Sequence, residues 1–104
     1  MARPLTTTAE ERAVLAGLVD RIGYEVMPFK TAEEKVLAFV PTEVPLTITA
    51  TGGKGMEPTL AASISLQEKG YSVAPHVPAR MVSGPEELDQ IVSRLEAAGI
   101  TRLF

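Results

Sequence analysis

Glu25 is the residue best placed to do chemistry in this chain, because it interrupts an apolar run, YEVMPF. A carboxylate inside a strand costs a large desolvation free energy unless it is paired or put to use. Two roles compete: a structural ion pair, with Lys30 or Arg80 as the cation, and a general acid, which burial favours by helping the carboxyl keep its proton. His76 is the chain's one histidine and falls near the end of another apolar run, YSVAPHV, where a parallel strand would hold it at a rim; a lone histidine is more often a satisfied core or rim residue than a catalyst. Thr47 and Thr49 offer hydroxyls from PLTITAT, although β-branched residues belong in strands for conformational reasons alone.

Gly52, Gly53, Lys54 and Gly55 follow that run. Such a loop can form a backbone nest for an anion at a helix N-terminus, or simply turn sharply beside a ligand. The phosphate-loop pattern is not met, since its glycines are spaced more widely and a Ser or Thr must follow the lysine; the dinucleotide-binding glycine fingerprint is also absent. With no cysteine and one histidine, thiolate or histidine-rich metal chemistry is excluded.

The elements that must position these residues alternate. Four short apolar runs, Tyr24 to Phe29, Pro45 to Thr51, Tyr71 to Val77 and Ile100 to Phe104, are interleaved with four helical patterns, the periodicity of βα units building a parallel sheet. Thr8 with Glu11 forms a capping box ahead of Val14, Leu15, Leu18, Val19 and Ile22, which predicts a leading helix to about Arg21. Thr31 with Glu34 repeats the device, and Pro41 ends that helix. Pro58 opens the next, which closes at Lys69 and Gly70; Gly84 and Pro85 open the last, with Gly99 as its stop. There is no asparagine and no Asp-Gly pair between neighbouring runs, so hairpins are not expected.

Right-handed crossovers of this type build either an open doubly wound sheet or a closed eight-stranded barrel. Strand parity favours the barrel: Glu25, Thr47, Thr49, Ser72 and His76 share one parity, whereas a strand covered by helices on both faces reads almost continuously apolar. The predicted fold class is therefore α/β, a partial (β/α)8 TIM barrel of about three βα units plus the start of a fourth strand, with a leading helix. Residues 1–104 form the N-terminal part of one barrel domain on this pattern, because the fourth run, ending at Leu103 and Phe104, would leave an apolar sheet edge open. Poor autonomous stability is the expectation for such a portion.

Composition narrows the function classes. Hydrophobic residues make up 45% of the 104 positions and charged residues 22%, as in folded soluble domains rather than disordered ones. Ten basic and thirteen acidic residues give a net charge of −3 with no like-charge run, so no electrostatic footprint for nucleic acid is present. The stretch MARPLTTTAEER lacks the apolar core of a signal peptide, and no apolar stretch reaches a membrane-spanning length. Together with the absence of cysteine this fits a cytoplasmic protein.

Three segments in register, YEVMPFKT, PLTITATGGKG and YSVAPHVPARMV, resemble the methylenetetrahydrofolate reductase family in order and spacing, over most of the chain after the leading helix. The resemblance implies that Glu25 is the catalytic acid and that Thr49 and His76 lie against a flavin. It also implies an oxidoreductase in which NAD(P)H reduces FAD, and hydride then passes to 5,10-methylenetetrahydrofolate to give 5-methyltetrahydrofolate; the implied partners are a folate and a nicotinamide dinucleotide. The chain departs from the family at Phe29, which stands where a second proline is usual, and at His76 to Ala79, where His-Val-Pro-Ala replaces His-Leu-Thr-Cys. Two alternatives stay open: another (β/α)8 pterin- or folate-dependent methyltransferase or lyase, and a small non-enzymatic α/β module that completes its sheet as a homo-oligomer.

Overall fold

The computed structural model describes residues 6–104, so the first five positions of MARPLTTTAEER lie outside it. Helix α1 (Ala9–Asp20) starts at the capping box: Glu11 N–H donates to Thr8 Oγ1 at 3.1 Å, and Thr8 N–H donates to the Glu11 carboxylate at 2.9 Å. Two helix-end donors are thereby satisfied. Strand β1 (Tyr24–Val26), helix α2 (Lys30–Phe39), strand β2 (Leu46–Ile48), helix α3 (Glu57–Glu68), strand β3 (Val73–Pro75), a 3₁₀ turn (Ala79–Met81) and helix α4 (Pro85–Ala97) follow. The molecule is a mixed α/β structure whose three parallel strands lie in the order β1-β2-β3. A sequential order of this kind is shared by barrels and by half of a doubly wound sheet.

The strands are shorter than the apolar runs that predicted them. Pro28 follows β1, Pro45 precedes β2 and Pro75 ends β3, and a proline has no N–H to give a ladder. Ile100 to Phe104 forms no regular strand. Phe104 alone lies on the β3 edge: its N–H donates to Pro75 O at 2.8 Å and its carbonyl accepts from Val77 N–H at 2.7 Å, a single parallel rung that brackets His76. The expected Thr31–Glu34 capping box is not used either, because α2 starts earlier, with Phe29 at its N-cap and no side-chain cap.

Apart from Ala74, which is buried on the other face, the strands bury their side chains on one side of the sheet. Val26, Leu46, Ile48 and Val73 pack with Val36 of α2, Leu66 of α3 and Tyr71. Ile48 and Leu66 are fully buried, each contributing about 1.5–3 kcal/mol on transfer from water. A second cluster joins Met56 and Leu60 to Ile91, Leu95 and Ile100, so α4 closes over the start of α3. The opposite face of the sheet, where Glu25, Thr47 and Ala74 stand side by side in register, carries none of these helices. Helix α1 buries no residue; the stripe of Val14, Leu15, Leu18 and Val19, expected to pack on a core, is at least half exposed.

Candidate functional site

The helix-free face gathers the residues singled out by chemistry. Glu25 lies in the middle of β1 and His76 directly after β3, two positions beyond the residue in line with Glu25. Their side chains lean toward each other across β2, with Glu25 Oε1 3.7 Å from His76 Nε2. Thr49, directly after β2, is held twice by one carbonyl: its N–H donates to Val26 O at 2.9 Å, and its hydroxyl lies 3.4 Å from the same oxygen. The hydroxyl also reaches the Met27 sulfur at 3.2 Å. Thr49 and His76 thus stand at the C-terminal ends of their strands, the end at which open and closed α/β sheets bind ligands, and Glu25 reaches that end from the middle of β1.

The Glu25 side chain is 63% exposed and that of His76 is 22% exposed, so Glu25 is not a buried carboxylate here. The physical reason is the one-sided core, which covers Val26 and leaves its neighbour in water. The ionisable side chain beside it is that of His76, not Lys30 or Arg80. Ser72, of the same parity, sits at the other end of β3 and accepts from the Arg102 guanidinium at 2.7 Å; it takes no part in this cluster.

Aromatic contacts complete the surroundings. The His76 ring lies against Phe104, with centroids 4.8 Å apart and planes at 32°. Lys54, from the glycine-rich loop, holds its ammonium 5.3 Å from the Phe29 ring centroid, within cation–π range. Gly55 adopts φ +69°, so that loop needs glycine there for its turn. None of these contacts was anticipated from spacing, because each joins residues far apart in the chain.

Elsewhere the ionisable groups do structural work. Partial burial raises the Glu33 carboxyl, but hydrogen bonds from Lys69 and Ser65 outweigh it and hold the group below the usual carboxylate range. The Arg94 guanidinium, in a forked contact at 2.6 and 3.1 Å, lowers Glu57. Hydrogen bonds from the Ser83 hydroxyl and N–H lower Glu87. Among the described residues no cluster of three or more His, Asp or Glu could hold a metal ion, and no helix is long and apolar enough to cross a membrane.

The face offers a carboxylate, an imidazole and a hydroxyl beside an aromatic ring, on an open surface rather than in an enclosed cavity. Such a set can exchange a proton with a bound molecule and hold a planar polar one. No protein-family model, curated protein or solved structure matches the chain.

Proposed function

We propose that this chain forms the opening part of a (β/α)8 barrel and that the barrel is a methylenetetrahydrofolate reductase-like oxidoreductase. The observation that carries the proposal is the convergence of Glu25 and His76, 3.7 Å apart across β2, with Thr49 beside them at the strand ends. The resemblance of the three segments around those residues supplies the chemistry. The polar, helix-free face is consistent with a barrel interior, which further strands would enclose.

The donor set fits a flavin edge. The Thr49 hydroxyl directs its proton toward Val26 O and the Met27 sulfur, which leaves its lone pairs to accept from a ring N–H. His76 presents a ring with one donor and one acceptor nitrogen when neutral. Bound FAD would supply hydride transfer from NAD(P)H to the folate. Glu25 would give its proton to the folate nitrogen whose bond to the bridging methylene breaks; that nitrogen keeps the bond's electron pair and the methylene is left electrophilic.

The test is Glu25→Gln in the protein that carries the whole barrel. Losing a general acid costs about 10²–10⁴-fold in rate, so stopped-flow absorbance should show flavin reduction by NAD(P)H unchanged and reoxidation by methylenetetrahydrofolate slowed at least a hundredfold. Unchanged reoxidation would return Glu25 to a structural role. Turnover of a pterin substrate without any flavin would favour the methyltransferase or lyase alternative.

A further inference from the structure

Two polar side chains, Thr59 and Ser63, are fully buried in α3, where packing alone would favour apolar residues. Ser63 uses its hydroxyl within the helix, donating to Thr59 O at 2.7 Å, the usual back-bond of a helical serine. Thr59 does otherwise. Its hydroxyl leaves the helix and donates to the carbonyl of Thr49 at 2.9 Å.

The β1–β2 ladder explains why that carbonyl needs a donor. Tyr24 N–H donates to Pro45 O and Thr49 N–H donates to Val26 O, and Tyr24, Glu25 and Val26 face Leu46, Thr47 and Ile48. In a parallel ladder the next rung would run from the N–H of residue 28 to Thr49 O. Residue 28 is Pro28, itself buried, and has no N–H to give. An unpaired carbonyl at this depth is costly, and the Thr59 hydroxyl takes the missing rung.

We infer that Thr59 is a positioning residue for the strand-end cluster: it replaces the hydrogen bond that Pro28 cannot make and fixes the peptide after Thr49. That peptide sets both where the Thr49 hydroxyl stands over Val26 and Met27 and the direction in which the chain leaves for the Gly52–Gly55 loop. The hydrogen-bond substitution stands on geometry alone; its relevance to ligand binding rests on the flavin site proposed above.

The experiment compares the wild-type chain with Thr59→Val, Thr59→Ser, Pro28→Ala and Thr59→Val combined with Pro28→Ala. In Thr59→Val, amide exchange should quicken about tenfold or more from Thr49 to Gly55 while Leu46 to Ile48 stay protected, and Thr59→Ser should restore the slow rates. Pro28→Ala supplies an N–H at the missing rung, so it should reverse the Thr59→Val effect on Thr49 in the double variant. Equal exchange rates in wild type and Thr59→Val, uniform loss of protection across the whole chain, or no rescue by Thr59→Ser and none by Pro28→Ala would each overturn the inference. FAD titration by flavin fluorescence, in the protein that carries the whole barrel, is the second arm: affinity should drop about tenfold or more in Thr59→Val, the effect of a single unsatisfied hydrogen bond, and recover in Thr59→Ser. Absence of FAD binding in the wild type would count against the flavin site, with the exchange results deciding the role of Thr59 by themselves. Equal FAD affinity in wild type and Thr59→Val would remove Thr59 from ligand positioning.

Discussion

The Tyr71 hydroxyl donates to the Val40 carbonyl at 2.6 Å, so the residue that leads into β3 also caps the C-terminal end of α2. Tyr71 is 4% exposed, and its hydroxyl also lies 3.2 Å from Val36 O. The contact ties a helix end to the sheet core and satisfies a carbonyl that has no intrahelical partner. Tyr71→Phe keeps the ring and removes the bond, which should cost about 1–3 kcal/mol. Urea unfolding at constant m-value measures it; a loss under about 0.5 kcal/mol would mean that water reaches Val40 O instead.

Gly70 separates α3 from the approach to β3 with φ +98°, and a Cβ there would meet only Thr42 Cγ2, at an ordinary 3.7 Å. The cost of a side chain is thus conformational, not steric. Gly70→Ala should destabilise by about 1–2 kcal/mol, with Gly70→Asn costing less because asparagine tolerates positive φ. Gly52 has open space around it and no positive φ, so Gly52→Ala should change stability by less than about 0.5 kcal/mol. Equal losses at the two glycines would refute the backbone explanation.

The capping box of α1 should be felt by that helix alone. Thr8→Ala removes one side-chain acceptor, worth about 0.5–2 kcal/mol to a helix, yet α1 buries no residue against the rest of the molecule. Amide exchange in Ala9–Asp20 should quicken while the urea midpoint of the sheet and of α3 stays put. A matching fall in both would show that α1 supports the core.

Acid should destabilise the fold through Glu33 and Glu57, both held below the ordinary carboxylate range in the native state. A carboxyl depressed on folding contributes stability that is complete above its unfolded value, about 4.3 for glutamate. The contribution is lost as pH falls through the lower native value. Stability should therefore be level from about pH 7 to pH 5 on this account and decline below about pH 4. Glu33, 20% exposed and bonded to both Ser65 and Lys69, should contribute more than Glu57, 69% exposed, whose pairing water and salt screen. Urea midpoints against pH for Glu33→Gln and Glu57→Gln decide: an acid slope unchanged by Glu33→Gln would place the sensitivity elsewhere.

The sequence by itself determined what depends on neighbours in the chain. The Thr8–Glu11 box, Pro58 and Pro85 in first turns, and Gly99 after α4 marked helix ends because helix-end groups are satisfied within a few residues. Alternation along each apolar run assigned Glu25 and His76 to one sheet face because successive strand side chains point to opposite sides. Tertiary structure decided everything set by distance between segments. Glu25 stands in water because helices cover only the other face of the sheet, Thr31 is bypassed because α2 starts at Lys30, and the apolar stripe of α1 remains uncovered. Thr59 bonds to Thr49, whose carbonyl lies where the ladder would next need an N–H from Pro28, a proline just beyond β1. A hydroxyl and a carbonyl ten residues apart show no pattern in one dimension, and only the register of β1 on β2 reveals that the carbonyl would otherwise be unpaired.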